Sequence, residues 1–163
     1  MKREVKPQVN PSRSVILTSK NDWDRMGRTI EVMSVIGSSC NEEEMKELDL
    51  SGFVNLRECK VGNECFTRVK KVIICGLREL ESVCIGNKSF RRDGDIKGGS
   101  FCLKNCPKLI LLKVGLCSFE DYTVIELENV DALEVIEMGK LSEWSASFKL
   151  ASLELKSILI RVE

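Results

Sequence analysis

Histidine is absent from the 163 residues, and its absence excludes several kinds of chemistry at once. Neither Ser-His-Asp nor Cys-His nucleophilic catalysis can be assembled, and the commonest protein ligand for transition metals is missing. Lys plus Arg and Asp plus Glu number 25 each, so no net charge favours nucleic acid or an anionic membrane. We therefore expect no catalytic residues, no cofactor and no binding of nucleic acid.

Long apolar runs are missing as well. Stretches such as Leu109 to Leu112 are far shorter than the run of about 18 apolar residues that a membrane-spanning helix needs. Val15 to Leu17 is too short for the apolar region of a secretory signal. We expect no membrane insertion and a cytoplasmic location, with a surface location only if the chain is part of a longer protein.

Cysteine, in contrast, is abundant, with eight residues. In a protein that is not exported, these are expected to be free thiols rather than disulfides. Cys102 and Cys106, with Cys75, Cys84 and Cys117, offer an alternative set of thiolates for a metal or redox site, but their spacing is not that of paired CxxC hooks. The favoured interpretation is that the inward-facing thiols act as small hydrophobic side chains.

The dominant pattern in the sequence is an internal repeat. Gly62, Gly86, Gly115 and Gly139 are 24, 29 and 24 residues apart. Every residue that lies 1, 3, 6, 9, 12 or 14 positions before one of these glycines is apolar, and all four residues at the sixth position are leucine. The five extra residues of the long unit fall within the polar, glycine-rich residues 91–100, which predict a surface loop.

Two short strands are predicted in each unit of about 24 residues. Apolar residues two apart, such as Leu48 and Leu50, predict the first strand, and a second pair, such as Cys59 and Val61, predicts the other. Residues that tolerate turn conformations stand ten positions before each marker glycine, namely Gly52, Gly76, Asn105 and Asn129. Because a lone unit buries too little surface to fold, we expect the units to stack with equivalent strands in parallel sheets.

These units resemble the BspA-like leucine-rich repeats of bacteria and protists. The strings NLRECKVGNECF, ELESVCIGNKSF and PKLILLKVGLCSF carry the resemblance, through a leucine, two hydrophobic residues, a glycine and a phenylalanine at fixed spacing. The resemblance implies a right-handed solenoid with a role in surface binding or adhesion. The loop at residues 91–100 and the missing signal peptide depart from the family pattern, and they favour the cytoplasmic location over a cell-surface role.

The predicted organisation has three parts, and the predicted fold class is mainly β, a leucine-rich-repeat-like solenoid with an N-terminal helical cap. Residues 1–20 are expected to be irregular, and residues 21–47 form the cap, with Trp23, Met26, Ile30 and Met33 at helical spacing over a helix from 21 to 35. Residues 48–163 form the solenoid, with four glycine-marked units and a partial terminal unit. With one deleted residue, the terminal unit is predicted to continue the apolar columns through Phe148, Leu150, Leu153, Leu155, Ile158 and Ile160.

A binding surface is predicted on the outward positions of the strand that precedes each glycine. These positions hold Glu58, Lys60, Ser82, Cys84, Leu111, Lys113, Val135 and Glu137. We therefore expect a non-enzymatic module that binds a protein partner through this face, although the same residues also fit an ordinary solvent-exposed surface.

A structural segment of a longer or self-associating array is the alternative function. Residues 1–30 carry seven basic and three acidic residues, whereas residues 120–143 carry eight acidic residues and Lys140 as their one base. This polarity, together with an uncapped last unit, favours self-association through the C-terminal end. A metal or redox site built from the cysteines is the less favoured third interpretation.

Overall fold

The computed structural model describes residues 13–91, 98–139, 147–148 and 151–156. This part of the chain is mainly β, with eleven strands and one short helix. The elements in chain order are β1 (Ser14–Leu17), α1 (Lys20–Arg25), β2 (Val32–Val35), β3 (Glu47–Asp49), β4 (Glu58–Val61), β5 (Lys71–Cys75), β6 (Ser82–Ile85), β7 (Ser100–Lys104), β8 (Leu111–Val114), β9 (Val124–Glu128), β10 (Val135–Met138) and β11 (Ser152–Lys156).

The strands form two sheets, and every strand pair is parallel. Sheet A has the order β1-β2-β4-β6-β8-β10, and sheet B has the order β11-β9-β7-β5-β3. From β3 onward the chain alternates between the sheets, so consecutive strands of one sheet are separated by a strand of the other. The predicted mainly β fold with parallel strands in two sheets is confirmed.

Alternating burial shows which side of each strand faces the core. In β4, β6 and β8 the second and fourth residues are buried and the first and third are more exposed. In β5, β7 and β9 the second and fourth residues are again the buried ones. The buried rows of the two sheets meet in one hydrophobic core, because the side chains of a strand point alternately to its two faces.

The chain leaves the strands of sheet B at tight turns in left-handed conformation. Gly76, Asn105 and Asn129 have φ values of 72°, 55° and 53°, as expected for residue types that tolerate the left-handed conformation in turns. The marker glycines, each of which follows a strand of sheet A, allow neighbouring backbone segments to approach closely. A Cβ on Gly86 would lie 2.6 Å from the carbonyl carbon and oxygen of Gly62, so no larger residue fits without movement of the backbone.

The N-terminal prediction is wrong in two respects. The helix covers Lys20–Arg25 and does not extend to residue 35, because Val32–Val35 forms strand β2 and pairs with β4. Residues 1–20 are also not wholly irregular, since Ser14–Leu17 forms β1 at the end of sheet A. The first two strands of sheet A therefore lie within segments predicted to be irregular or helical.

The predicted register of the terminal unit is also wrong. Leu153 and Leu155 pair with Ile125 and Leu127, so they lie within strand β11 of sheet B. Phe148 stacks on Phe119 with ring centroids 4.9 Å apart and therefore continues the phenylalanine column instead of starting a strand. Leu150, Ile158 and Ile160 lie outside the described residues. No helix among the described residues is long and apolar enough to cross a lipid bilayer.

Candidate functional site: the outer face of sheet A

The eight residues predicted to face outward lie together on four adjacent strands of sheet A. The register forms two rows, Glu58–Ser82–Leu111–Val135 and Lys60–Cys84–Lys113–Glu137, across β4, β6, β8 and β10. We call these eight residues the outer face. It forms because their neighbours in the strands, such as Cys59 and Val61, turn into the core.

Charged side chains on the outer face neutralise one another. Lys60 Nζ lies 2.5 Å from a carboxylate oxygen of Glu58 in the same strand, and Lys113 Nζ lies 2.9 Å from Glu137 in the adjacent strand. The hydrogen bond from Lys113 to Glu137 raises the pKa of Lys113 above its ordinary value. With two lysines and two glutamates paired, the face offers no single-sign field to a charged partner.

Cys84 lies between two lysines without becoming an activated thiol. The register places Lys60 on one side of it and Lys113 on the other. Burial nevertheless raises the pKa of Cys84, and the opposing effect of the lysines does not reverse this. The thiol therefore stays protonated at neutral pH, which is the opposite of what a nucleophilic cysteine requires.

The C-terminal half of the outer face is the more apolar half. Leu111 and Val135 are opposite each other in β8 and β10, and Val135 is 40% exposed. Ile110, the residue before β8, is 45% exposed and adds apolar surface next to Leu111 in the chain. The part of the outer face on β4 and β6 is therefore polar, whereas Leu111 and Val135 form an apolar strip on β8 and β10. Many protein-binding surfaces have such a mixed composition.

The five cysteines considered for a metal or redox site do not lie on one surface. Cys84 belongs to sheet A, whereas Cys75 and Cys102 belong to sheet B and Cys106 is buried in the core. Burial raises the pKa of Cys106 to about 11. None of the eight cysteines forms a disulfide, and no three acidic or cysteine side chains in the described ranges converge on a point that would hold a metal ion.

Two surface features were not predicted from the sequence. The first is a polar groove of about 440 Å³ lined by Ser38, Asn41, Glu64, Thr67, Lys88 and Arg91. Its basic residues are paired with carboxylates, Lys88 with Glu64 at 3.9 Å and Arg91 with Glu120 at 2.8 Å. The groove therefore has no uncompensated charge for an ionic ligand.

The second feature is the exposure of core-type residues on β10. Ile136 and Met138 occupy the inward rows of sheet A, yet they are 47% and 40% exposed. The equivalent residues of β8, Leu112 and Val114, are buried. The apolar columns predicted burial for all four residues, and no local signal separates β10 from β8. β10 is the last strand of sheet A in the part of the chain that the structure describes.

No protein-family model, curated protein or solved structure matches this chain.

Proposed function

We propose that this chain is a non-enzymatic protein-binding module, a leucine-rich-repeat-like solenoid of about 24-residue units that resembles the BspA-like family and uses no cofactor. The observation that carries the proposal is the register of the outer face. Outward residues from four units form two continuous rows across parallel strands. A surface of this kind suits an extended contact with another protein, because each unit adds the same two positions to it.

The chemistry of the outer face supports a partner with its own apolar patch. The ion pairs Lys60–Glu58 and Lys113–Glu137 leave no net charge to attract a strongly acidic or basic partner. Leu111 and Val135 supply apolar area at the centre and C-terminal side of the face. Binding energy at such surfaces concentrates in a few apolar side chains that exclude water.

Site-specific photo-crosslinking tests the proposal. A photoreactive amino acid at Ser82, on the outer face, is compared with one at Lys71, on the exposed side of sheet B, and the crosslinked protein is identified by mass spectrometry. The purified partner should then bind the native chain, and Leu111→Glu should weaken binding at least tenfold, since a charge in a desolvated contact costs more than about 1.4 kcal/mol. Equal crosslinking from both positions, or unchanged affinity of Leu111→Glu, would contradict the proposal.

A self-associating array is the second candidate, and the exposed Ile136 and Met138 on β10 are the observation that favours it. Light scattering over a concentration series separates the two functions. Mass that grows with concentration and falls back on Ile136→Asp supports an array, whereas a concentration-independent monomer supports an external partner.

A further inference from the structure

Two partly exposed cysteines face the same way on adjacent strands in the middle of sheet B. The register pairs Ile73 of β5 with Cys102 of β7. Two residues further along the strands, it pairs Cys75 with Lys104. All four side chains lie on the outer side of the sheet, because the residues between them in each strand are buried. Cys75 and Cys102, which we call the thiol pair, therefore occupy one diagonal of a square of four outward positions.

The diagonal between the two thiols is too long for a disulfide. With about 4.8 Å between strands and about 3.3 Å per residue along them, the Cα atoms of the thiol pair are roughly 8 Å apart. Disulfides do not join Cα atoms more than about 7 Å apart without movement of the backbone. A metal ion replaces one sulfur–sulfur bond of about 2.0 Å by two metal–sulfur bonds of about 2.3 Å each. This longer bridge suits the diagonal.

The other two corners of the square do not obstruct such a bridge. Lys104 Nζ lies 2.8 Å from a carboxylate oxygen of Glu126 and 3.4 Å from one of Glu128. Both glutamates belong to β9, so these ion pairs direct the ammonium group away from β5. Ile73 at the opposite corner is apolar and offers no competing ligand. The thiol pair therefore supplies the soft ligands of this square.

The contacts that hold each thiol are weak. Cys75 Sγ lies 4.0 Å from Nδ2 of Asn105, a long contact for a hydrogen bond. Burial raises the pKa of Cys102; Lys104 lowers it, and Glu126 and Cys75 raise it further. The effect of Cys75 on this pKa reflects the proximity of the two sulfurs. Because rotation about one Cα–Cβ bond repositions each sulfur, the thiols turn towards a shared ion without movement of the backbone.

Ligand chemistry identifies the ion. Structural zinc takes about four ligands, and the described ranges contain no point on which even three acidic or cysteine side chains converge. Cu(I) is a soft ion that thiolates select, and a pair of thiolates on opposite sides of the ion satisfies it. We infer that Cys75 and Cys102 bind one Cu(I) ion between them on the outer side of sheet B. Two copper–sulfur bonds form, each thiol releases its proton to the solvent, and the copper remains Cu(I).

The thiol pair is independent of the proposed function. It lies on sheet B, whereas the outer face that is proposed to bind a protein lies on sheet A. Cu(I) should therefore leave the binding of a protein partner unchanged, and the failure of either proposal leaves the other intact.

Competition for Cu(I) in the absence of oxygen tests this inference. The reduced native chain is titrated into the Cu(I)–bicinchoninate complex, whose colour fades as the ion is transferred, and each chain should take up one ion. Cys75→Ser and Cys102→Ser should each weaken binding about tenfold or more, because a serine hydroxyl is a poor ligand for a soft ion. No transfer to the native chain, or unchanged affinity in either variant, would overturn the inference.

Cys84→Ser is the matched control. Cys84 is also partly exposed on a strand, but its neighbours in the register are Lys60 and Lys113 and not a second thiol. This variant should bind Cu(I) within about twofold of the native chain. Equal weakening by Cys84→Ser and Cys75→Ser would mean non-specific binding to thiols and would reject the inference.

X-ray absorption spectroscopy of the copper-loaded native chain tests the ligands without any substitution. Two sulfur neighbours support the thiol pair, whereas nitrogen or oxygen neighbours contradict it. Oxidation with diamide, followed by mass spectrometry of the peptides, tests the length of the diagonal. No disulfide between Cys75 and Cys102 should form, and its formation would mean a redox pair in place of a metal site.

Discussion

Phe90 and Phe119 stack with ring centroids 4.7 Å apart and ring planes 4° from parallel. Phe66 extends the stack on one side at 5.2 Å, and Phe148 extends it on the other at 4.9 Å. All four residues have φ between 55° and 57°, a left-handed conformation that bulky residues rarely adopt. Packing of the rings, aided by backbone bonds such as Phe90 N–H to the Cys65 carbonyl at 2.9 Å, holds the chain in this conformation.

Replacing Phe90 by alanine should reduce the free energy of unfolding by about 3–5 kcal/mol, because the cavity lies between two stacked rings with little room to collapse. Urea unfolding followed by circular dichroism measures the change. Lys113→Ala is the control, and it should cost under about 1 kcal/mol, since its ion pair with Glu137 is exposed. A loss under about 1 kcal/mol for Phe90→Ala would show that the phenylalanine column is not a core element.

Strands β4 to β10 were predictable because the signal is local. Two apolar residues two apart, flanked by turn residues, define each strand, and β4 and β9 lie where their pairs predicted them. The apolar columns did not predict strand β2, because Ile36 is an extra residue between Val35 and Gly37. It displaces the apolar residues of β2 by one position relative to Gly37. The helical spacing of Met26, Ile30 and Met33 was misleading, since a turn followed by a strand also buries these residues.

The rows of the outer face were predictable for the same reason, since the side-chain period of a strand is two residues. The pairing of Lys113 with Glu137 follows from that register as well. The exposure of Ile136 and Met138 was not predictable, because both residues continue apolar columns whose other members in sheet A are buried.

A ladder of buried serine hydroxyls runs along sheet A, and the recurring Ser-Phe pairs at 89–90, 118–119 and 147–148 are the sequence signal for it. The Ser118 hydroxyl donates to the Gly86 carbonyl at 2.8 Å and accepts from the Ser89 N–H at 3.2 Å. Ser89 repeats the arrangement one strand earlier, with the Gly62 carbonyl at 2.7 Å and the Cys65 N–H at 3.2 Å.

Ser118→Ala should therefore destabilise the protein by about 1–3 kcal/mol, because it leaves a buried donor and a buried acceptor without their partner. Amide hydrogen exchange should show faster exchange at Ser89, whose N–H loses its acceptor. Ser82→Ala is the control: it also removes a serine hydroxyl, but from the outer face, and it should change stability by less than about 0.5 kcal/mol. Similar losses for both variants would contradict a special role for the ladder.

Gly86→Ala should reduce stability by about 1–3 kcal/mol, because the added Cβ meets backbone atoms of Gly62 at 2.6 Å and the two strands must separate. Gly27 provides a matched control, since nothing lies within 4 Å of a Cβ built there. Gly27→Ala should be neutral or stabilise by up to about 1 kcal/mol through the unfolded chain. Thermal unfolding of the two variants checks the prediction, and equal melting temperatures would disprove the close approach.

Cys59 should make stability fall at alkaline pH. Burial in the core raises the pKa of its thiol from an ordinary value near 9 to about 12. Between these values the unfolded chain releases the thiol proton while the folded chain keeps it, so ionisation stabilises the unfolded state. The full stability is present below pH 9, and it declines by up to about 1.4 kcal/mol per pH unit as the pH rises towards 12.

Cys59→Val isolates this effect, because the next strand of sheet A already has a valine, Val83, at the paired position. Every other titratable group, including the remaining seven cysteines, is present in both proteins and cancels in the comparison. The free energy of unfolding, measured in the presence of a reducing agent, should decline more steeply with pH in the native protein than in the variant. Parallel curves from pH 8 to pH 11 would mean that the Cys59 thiol ionises as readily in the folded core as in water.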